Sequence, residues 1–246
     1  MAEFIILGIL QGIFEWIPIS SEGVVALVSQ IFEIETNPVN LALFLHLGTL
    51  LAVLIYFRKD WREVLSLKDK ELFRFLIAAT LISLAAGFPL YKMVKEVAIG
   101  AGLLLIMGFG LFLTAFFQRT NKRLNLSFSQ LALVAGVLQG FSVIPGLSRS
   151  GSTIFGLSLG RLSPPQILKI SYMMSAPVIL ASTVYLLGFE DPQLFVRSWP
   201  ALIFSFVVGI GTLHFLIRFS QRINFFKFAL IFGILCLLGA ALEVII

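Results

Sequence analysis

Apolar runs of about the length of a membrane span follow one another along most of this chain, separated by short polar linkers. A helix needs about 20 residues to cross a bilayer, and unbroken apolar runs indicate helices rather than the alternating pattern of barrel strands. The charged residues 60–71 are expected to form a loop. The pattern predicts six transmembrane helices, at about 38–57, 72–91, 97–117, 166–187, 198–217 and 225–245.

Two more apolar segments, residues 4–35 and 129–160, are broken by polar and turn-forming residues and do not suit simple spans. The residues that break the first are Pro18, Ser20, Ser21, Glu22 and Gly23. The second is broken by Pro145-Gly146-Leu147-Ser148-Arg149-Ser150-Gly151-Ser152-Thr153. A fixed charge inside so apolar a segment is costly in a bilayer, which makes this stretch a candidate functional site.

The composition is that of an integral membrane protein. The chain is 59% hydrophobic and 13% charged, with a mean hydropathy of +1.00, whereas soluble domains carry about 25% charged residues. The net charge of +5 is explained by basic loop residues that set membrane orientation, so no nucleic-acid partner is expected. A single cysteine, Cys236, excludes an intrachain disulfide and a multi-thiol metal site. No cleavable signal peptide is expected, because the N-terminus lacks a basic region.

Basic residues gather in alternate linkers. The basic linkers are 58–74, 119–123, 161–169 and 218–227. The opposite linkers carry only Lys92, Lys95 and Arg197. By the positive-inside rule the basic set is cytoplasmic, which predicts a plasma-membrane protein with both termini outside. Segment 129–160 then enters and leaves by the cytoplasmic face and must be re-entrant, and segment 4–35 is expected to do the same from outside.

An internal repeat relates the two broken segments at an offset of 128 residues. The matched residues are Leu10-Gln11-Gly12 with Leu138-Gln139-Gly140, Ser20 with Ser148, and Gly23 with Gly151. Each broken segment precedes three spans, an odd number, so the halves have inverted topology, and the broken tips of such repeats usually meet near the midplane. We therefore expect an all-α polytopic protein forming a single membrane domain, residues 1–246, with repeat 1 at about 1–117 and repeat 2 at about 129–246.

The second broken segment has the chemistry of an anion site. Arg149 offers a planar fork of donors that suits phosphate oxygens. Hydroxyl and backbone donors surround it, namely those of Ser148, Ser150, Thr153, Gly146 and Gly151. A helix beginning near Ser150 would add a positive N-terminus. The plainer alternative is that Arg149 reaches a lipid headgroup while the serines bond helix carbonyls.

The first broken segment supplies acidic groups. Gln11 and Glu15 are four residues apart and share a face of a helix, and Glu22 follows at the break beside Ser20 and Ser21. Such oxygens suit a hard divalent cation held by Glu15 and Glu22, or Glu15 acts as a general base. Two alternatives stay open: Glu15 pairs with the arginine only to hold the repeats together, and Glu22 faces the outer water.

His46 lies inside a predicted span and either reaches a cavity or packs with a hydrogen bond. His214 is expected to be structural.

The chain resembles, over essentially its whole length, the undecaprenyl-diphosphatases of the bacitracin-resistance type. Their Pro-Gly-x-Ser-Arg-Ser-x-x-Thr motif is matched at 145–153, their Glu/Gln-x-x-x-Glu motif at 11–15, and their Pro-x-Ser-Ser-x-Gly motif at 18–23. The stretch 46–53, His-Leu-Gly-Thr-Leu-Leu-Ala-Val, is also similar. The long arginine motif is specific.

The resemblance implies an enzyme that removes the terminal phosphate of a polyprenyl diphosphate and so recycles the carrier lipid of cell-envelope glycan synthesis. It implies six spans, two re-entrant segments and a divalent cation, Mg²⁺ or Ca²⁺. By position it makes Glu15, Ser21 and Arg149 catalytic. The supporting residues, which would bind the lipid diphosphate, are Gln11, Ser20, Gly146, Ser148, Ser150 and Thr153.

One position departs from the family pattern. The family commonly has histidine directly after Ser-Ser-x-Gly, where this chain has Val24. Three alternatives stay open: either Glu15 or Glu22 activates Ser21 or a water molecule, His46 assists, or the chain is a diverged, inactive member of the family. A lipid flippase or transporter with the same inverted repeats is the alternative function, and the sequence leaves a homodimer open.

Overall fold

A computed structural model describes residues 1–17, 20–97, 101–119, 124–219, 230–231, 233–238 and 240–241. Within these ranges the chain forms helices and turns and contains no strand. The helices are α1 (Ala2–Phe14), α2 (Ser21–Ile31), α3 (Pro38–Tyr56), α4 (Arg58–Leu65), α5 (Lys70–Val97), α6 (Ala101–Arg119), α7 (Phe128–Phe141), α8 (Arg149–Ser158), α9 (Pro164–Tyr185) and α10 (Leu194–Phe219). A π-helical turn, Leu186–Glu190, extends α9, and the described residues after 229 are helical.

Among the residues that the structure describes, which are helices and turns, four helices are long and apolar enough to cross a membrane, so the chain is a helical membrane protein. They are α3, α5, α9 with its π-helical turn, and α10. They coincide with four of the six predicted spans. Helix α6 overlaps the predicted span 97–117, although its described apolar part, Gly102–Phe117, is shorter. The predicted span 225–245 lies largely outside the described residues, so the six-span topology stays a prediction.

The expectation of a loop at residues 60–71 is wrong, because α4 occupies its first half and α5 begins at Lys70. Helix α4 is amphipathic: Val64 is buried against the core, whereas Arg58 and Arg62 are exposed. A single apolar stripe of this kind is enough for a surface helix. The helix is also tied to α9 by Lys169, whose Nζ donates to Asp60 Oδ1 at 2.9 Å.

Both broken segments contain two consecutive helices, and their second helices begin alike. Ser20 caps α2 by accepting a hydrogen bond from the Gly23 N–H at 3.1 Å. Ser148 caps α8 by accepting one from the Gly151 N–H at 3.1 Å. Serine is a preferred N-cap because its side-chain oxygen satisfies a backbone donor at the helix start. The sequence comparison aligned these same serines and glycines, and the outer boundaries of the repeats stay predictions.

Close helix packing holds the first broken segment in place. Helix α1 lies along α10, where a Cβ on Gly12 would come within 2.8 Å of the Gly209 nitrogen. Beyond the end of α1, the buried Trp16 donates from Nε1 to the Gly209 carbonyl at 2.7 Å. The Tyr172 hydroxyl of α9 donates to the Trp16 carbonyl at 3.2 Å. The chain therefore leaves α1 in a direction fixed by α9 and α10.

Helix α6 fixes the turn between α7 and α8. Gly146 has a φ of +92°, and a Cβ there would collide with the Met107 carbonyl, so only glycine fits without strain. Thr114 donates to the Gly146 carbonyl at 3.2 Å and accepts from the Ser148 N–H at 3.0 Å. These contacts set where α8, and hence Arg149, begins.

Candidate active site

The N-termini of α2 and α8 meet at a small polar pocket. Its lining residues are Glu15, Ser20, Ser21, Glu22, His46, Leu147, Ser148, Arg149 and Ser150. The turns before the two helices are joined directly, because the Gly146 N–H donates to Ser20 Oγ at 2.9 Å. Two helix N-termini at one pocket place two positive dipole ends there, which favours an anion. Helix α8 starts at Arg149, one residue before the expected position.

An ion pair crosses the pocket from one broken segment to the other. Arg149 Nη2 contacts Glu15 Oε1, with only 12% of the arginine side chain and 1% of the glutamate side chain exposed. Arg149 therefore does not reach out to a lipid headgroup, as the plainer alternative had it. Taking both charges out of water is costly, so each depends on the other and on further hydrogen bonds.

Three more polar groups lie close to the second carboxylate oxygen of Glu15, Oε2. Gln11 Nε2 donates to Oε2 at 2.6 Å, and the Ser21 hydroxyl donates to the same oxygen at 3.1 Å. His46 Nε2 lies 3.1 Å from it. Because the hydroxyl proton of Ser21 points at a carboxylate, a proton can pass from an attacking oxygen at this position to Glu15.

His46 belongs to the pocket. Its Nδ1 lies 2.8 Å from the Ala42 carbonyl oxygen, and because a carbonyl only accepts, Nδ1 carries the hydrogen. The other ring nitrogen, Nε2, faces Glu15 and lies 3.7 Å from Glu22 Oε1. Among the alternatives left by the sequence, the structure therefore favours the one in which His46 reaches the cavity.

Glu22 also turns inward. Only 12% of its side chain is exposed, and its Oε2 is buried without a hydrogen-bond partner. It therefore does not simply face the outer water. It lies in the first turn of α2, beside the helix N-terminus that the pocket shares.

The remaining predicted residues fall into two groups. Ser148 and Ser150 line the pocket with their hydroxyl oxygens 3.1 Å apart. Gln11, Gly146 and Thr153 are near the pocket but do not line it. Gln11 supports Glu15, the Gly146 N–H is bonded to a serine, and Thr153 Oγ1 lies 2.6 Å from Ser171 Oγ of α9. These three residues therefore support the pocket without lining it.

A cavity of about 410 Å³ adjoins the polar residues. It lies between α3, α5, α9 and the end of α7, and its walls are mainly apolar; representative wall residues are Leu84, Phe88, Val178, Ile179 and Tyr185. Its lining also includes Glu22, His46 and Arg149. The apolar cavity is therefore bounded on one side by the polar residues of the pocket. The sequence suggested a cavity but not its lining, because apolar residues that line a cavity have the same composition as those that face lipid. The polar residues Ser83, Gln139 and Ser175 in its wall were the available signal.

Comparisons with known proteins agree with the motifs. The family model described as "Bacitracin resistance protein BacA" matches residues 4–239. A protein of Methanococcoides burtonii named undecaprenyl-diphosphatase is 34% identical, with 97% of each chain covered. A protein of the same name from Methanothrix thermoacetophila is 35% identical, with 98% of this chain and 97% of that protein covered. Another from Haloarcula marismortui is also 35% identical, with 97% of this chain and 96% of that protein covered. The chain thus belongs to the bacitracin resistance protein BacA family.

Proposed function

We propose that this protein is a membrane phosphatase that hydrolyses a polyprenyl diphosphate to the monophosphate and inorganic phosphate. The observation that carries the proposal is the buried Glu15–Arg149 pair at the junction of two helix N-termini, where an apolar cavity ends. The relatives named undecaprenyl-diphosphatase support the substrate class. The product is the carrier lipid in the form that cell-envelope glycan synthesis uses again.

The site suits the two halves of such a lipid. The apolar cavity suits the first part of a prenyl tail, since burying hydrocarbon is favourable. The guanidinium of Arg149 and the N-termini of α2 and α8 suit the diphosphate. Ser148 and Ser150 offer further hydroxyls at the same end of the pocket.

The chemistry follows from the polar contacts. The attacking oxygen, that of Ser21 or of a water molecule beside it, bonds to the terminal phosphorus and loses its proton to Glu15. The anhydride P–O bond breaks, and the polyprenyl monophosphate leaves with the electron pair. Arg149 stabilises the charge that builds on the transferring phosphoryl oxygens. If Ser21 attacks, water then releases phosphate from the serine. Gln11 holds the Glu15 carboxylate in place.

The topology is part of the proposal. Six spans and two re-entrant segments in inverted repeats would bring the broken tips together near the midplane. The positive-inside rule then places both termini outside and the basic linkers, including α4, at the cytoplasmic face of the plasma membrane. A homodimer is not required by this chemistry and stays a prediction.

A divalent cation, Mg²⁺ or Ca²⁺, also stays a proposal, and the two expected ligands differ in how well they fit it. Both oxygens of Glu15 are engaged, one by Arg149 and the other by the donors of Gln11 and Ser21. Glu22 Oε2 is buried and unpartnered, so Glu22 fits the ligand role better. No group of three or more His, Cys, Asp or Glu side chains that could hold a metal is found among the described residues. A bound cation would neutralise diphosphate oxygens.

The test is phosphate release from farnesyl diphosphate by the purified chain in detergent, without a membrane gradient. We expect release by the wild type and its near loss in Arg149→Ala. The matched control is Arg197→Ala, which removes an exposed arginine far from the motif and should leave release unchanged. Wild-type release by Arg149→Ala would refute the proposed site. Binding of the lipid without release by any variant would favour the flippase alternative.

A further inference from the structure

We propose that His46 Nε2 and Glu22 Oε1 form the protein half of a metal site that takes a first-row transition ion, with oxygens of the diphosphate completing the coordination. The inference rests on the proposed function for those substrate oxygens. It assigns to His46 a ligand role that neither the motifs nor the relatives supply.

The hydrogen bond of His46 Nδ1 fixes the direction of the imidazole lone pair. Because Nδ1 donates its hydrogen to the Ala42 carbonyl, the neutral ring has its lone pair on Nε2. That lone pair faces Glu15 Oε2 at 3.1 Å and Glu22 Oε1 at 3.7 Å, and only 4% of the histidine side chain is exposed. When the ring is neutral, three electron-rich atoms face one another in a buried site, and either a proton on Nε2 or a bound cation compensates them.

Arg149 does not supply that cation, because its guanidinium contacts the far oxygen of Glu15, Oε1. Gln11 and Ser21 donate to Glu15 Oε2 and therefore serve that carboxylate alone. Glu22 is left without a donor on Oε2. Glu22 is therefore the carboxylate of this network that lacks a donor, and its other oxygen, Oε1, is the one that faces His46 Nε2.

The geometry of this pair suits an ion. Metal–ligand distances of about 2.0–2.2 Å allow two ligands of one ion to lie up to about 4 Å apart, and the two atoms are separated by 3.7 Å. The Nδ1–H bond to a backbone carbonyl is the usual support of a metal-binding histidine, since it fixes the ring and the tautomer.

The pair is open to the substrate. Glu22 and His46 line both the polar pocket and the apolar cavity, as does Arg149. A diphosphate held by Arg149 therefore meets both candidate ligands. Two protein ligands plus substrate phosphates is a common arrangement for phosphate-bound divalent ions, and it agrees with the lack of a three-residue set in the described chain.

The imidazole changes which ion is preferred. Ca²⁺ and Mg²⁺ select oxygen ligands, whereas nitrogen ligands favour first-row transition ions such as Mn²⁺, Co²⁺ and Zn²⁺. If His46 is a ligand, this chain should therefore work better with one of the latter than with the Mg²⁺ or Ca²⁺ that the family resemblance implies. The site is specific to a sequence with glutamate at the variable position of Ser-Ser-x-Gly. Val24, in the position where the family commonly has histidine, packs against the α6 cluster that contains Met107 and Leu111.

The test measures metal binding directly. The full chain in detergent is titrated with Mn²⁺ in the presence of farnesyl methylenediphosphonate, a diphosphate analogue with a CH₂ bridge that cannot be hydrolysed. Free Mn²⁺ is followed by electron paramagnetic resonance. The ring nitrogens of the two histidines, labelled with ¹⁵N, are followed by nuclear magnetic resonance. The matched control is His214→Gln, which removes the exposed histidine of α10.

We expect one Mn²⁺ per chain in wild type and in His214→Gln, with selective broadening of the His46 Nε2 signal. His46→Gln and Glu22→Gln should weaken Mn²⁺ binding at least about tenfold. Wild-type Mn²⁺ affinity in His46→Gln overturns the inference, as does a His46 ring that carries hydrogen on both nitrogens and is unaffected by Mn²⁺. Chelator-resistant phosphate release by the wild type also overturns it and leaves the proposed function standing. Mn²⁺ binding without phosphate release from farnesyl diphosphate under any metal would refute the proposed function instead.

Discussion

The buried pair Glu15–Arg149 predicts that two substitutions together harm stability less than either alone. Glu15→Gln leaves the guanidinium of Arg149 unpaired, and only 12% of that side chain is exposed. Arg149→Met leaves the carboxylate of Glu15 unpaired, and only 1% of that side chain is exposed. Breaking a buried pair in this way costs about 3–5 kcal/mol, whereas replacing both charges by neutral groups is often nearly neutral. The double variant should therefore unfold at a higher temperature than either single variant.

The expected shift is large enough to measure. For a chain of this length 1 kcal/mol corresponds to about 2–4 °C in Tm, so each single substitution should lower Tm by about 6–20 °C. Unfolding can be followed by the fluorescence of the three tryptophans, Trp16, Trp61 and Trp199, in one detergent. A fixed scan rate is needed, because thermal unfolding of such proteins is commonly irreversible.

The control is a second ion pair of different burial. Lys169 and Asp60 lie 2.9 Å apart with 36% and 29% of their side chains exposed. Exposed pairs contribute about 0–1 kcal/mol, so Lys169→Met should lower Tm by no more than about 4 °C. A double variant of Glu15 and Arg149 that is less stable than both single variants would refute the reasoning. All three variants should lack phosphate release, which separates the stability of the pair from its chemistry.

Three further predictions test the site's surroundings. Gly146→Ala should cost about 1–3 kcal/mol in thermal stability, because φ is +92° and the α6 backbone occupies the Cβ position. Gly211→Ala, with open space around it, should be neutral or slightly stabilising; equal losses in both would contradict this account. Val178→Phe should raise the KM for farnesyl diphosphate at least about fivefold by filling the cavity, equivalent to about 1 kcal/mol of lost binding. Leu180→Phe, on the exposed side of α9, should leave KM unchanged, and the same KM in both variants would argue against the cavity as the tail site. Ser21→Ala should lower kcat for phosphate release at least about 100-fold, because the hydroxyl that donates to Glu15 is lost; full activity would exclude a role for that hydroxyl.

The polar turns of this protein could be predicted from the sequence because the physics there is local. Serine, proline and glycine in apolar runs stop helices within a residue or two, which is why the starts of α2 and α8 at Ser21 and Arg149 lie close to the expected breaks. A charge in an apolar segment must also find a partner, and Glu15 was the buried acid in the matching segment.

Tertiary packing decided what could not be predicted. The direction of the His46 ring depends on the Ala42 carbonyl one turn earlier and on a glutamate from another helix. The hydroxyl of Thr153 turns toward α9, although its motif position suggested a ligand. Helix α4 was missed because its charges outnumber the apolar residues, and Val64 alone is fully buried there.

The split of the Glu15–Arg149 pair between the two repeats sets a requirement on biosynthesis. The two residues are separated in sequence by more than half the length of the chain. At synthesis rates of about 5–20 residues per second, Glu15 is made about 7–27 seconds before Arg149. During that interval no guanidinium compensates the charge of the Glu15 carboxylate. The first half of the chain therefore cannot reach its final packing. Insertion of the second half is then the event that completes folding, and a chain truncated before Arg149 should be recognised as incomplete and degraded.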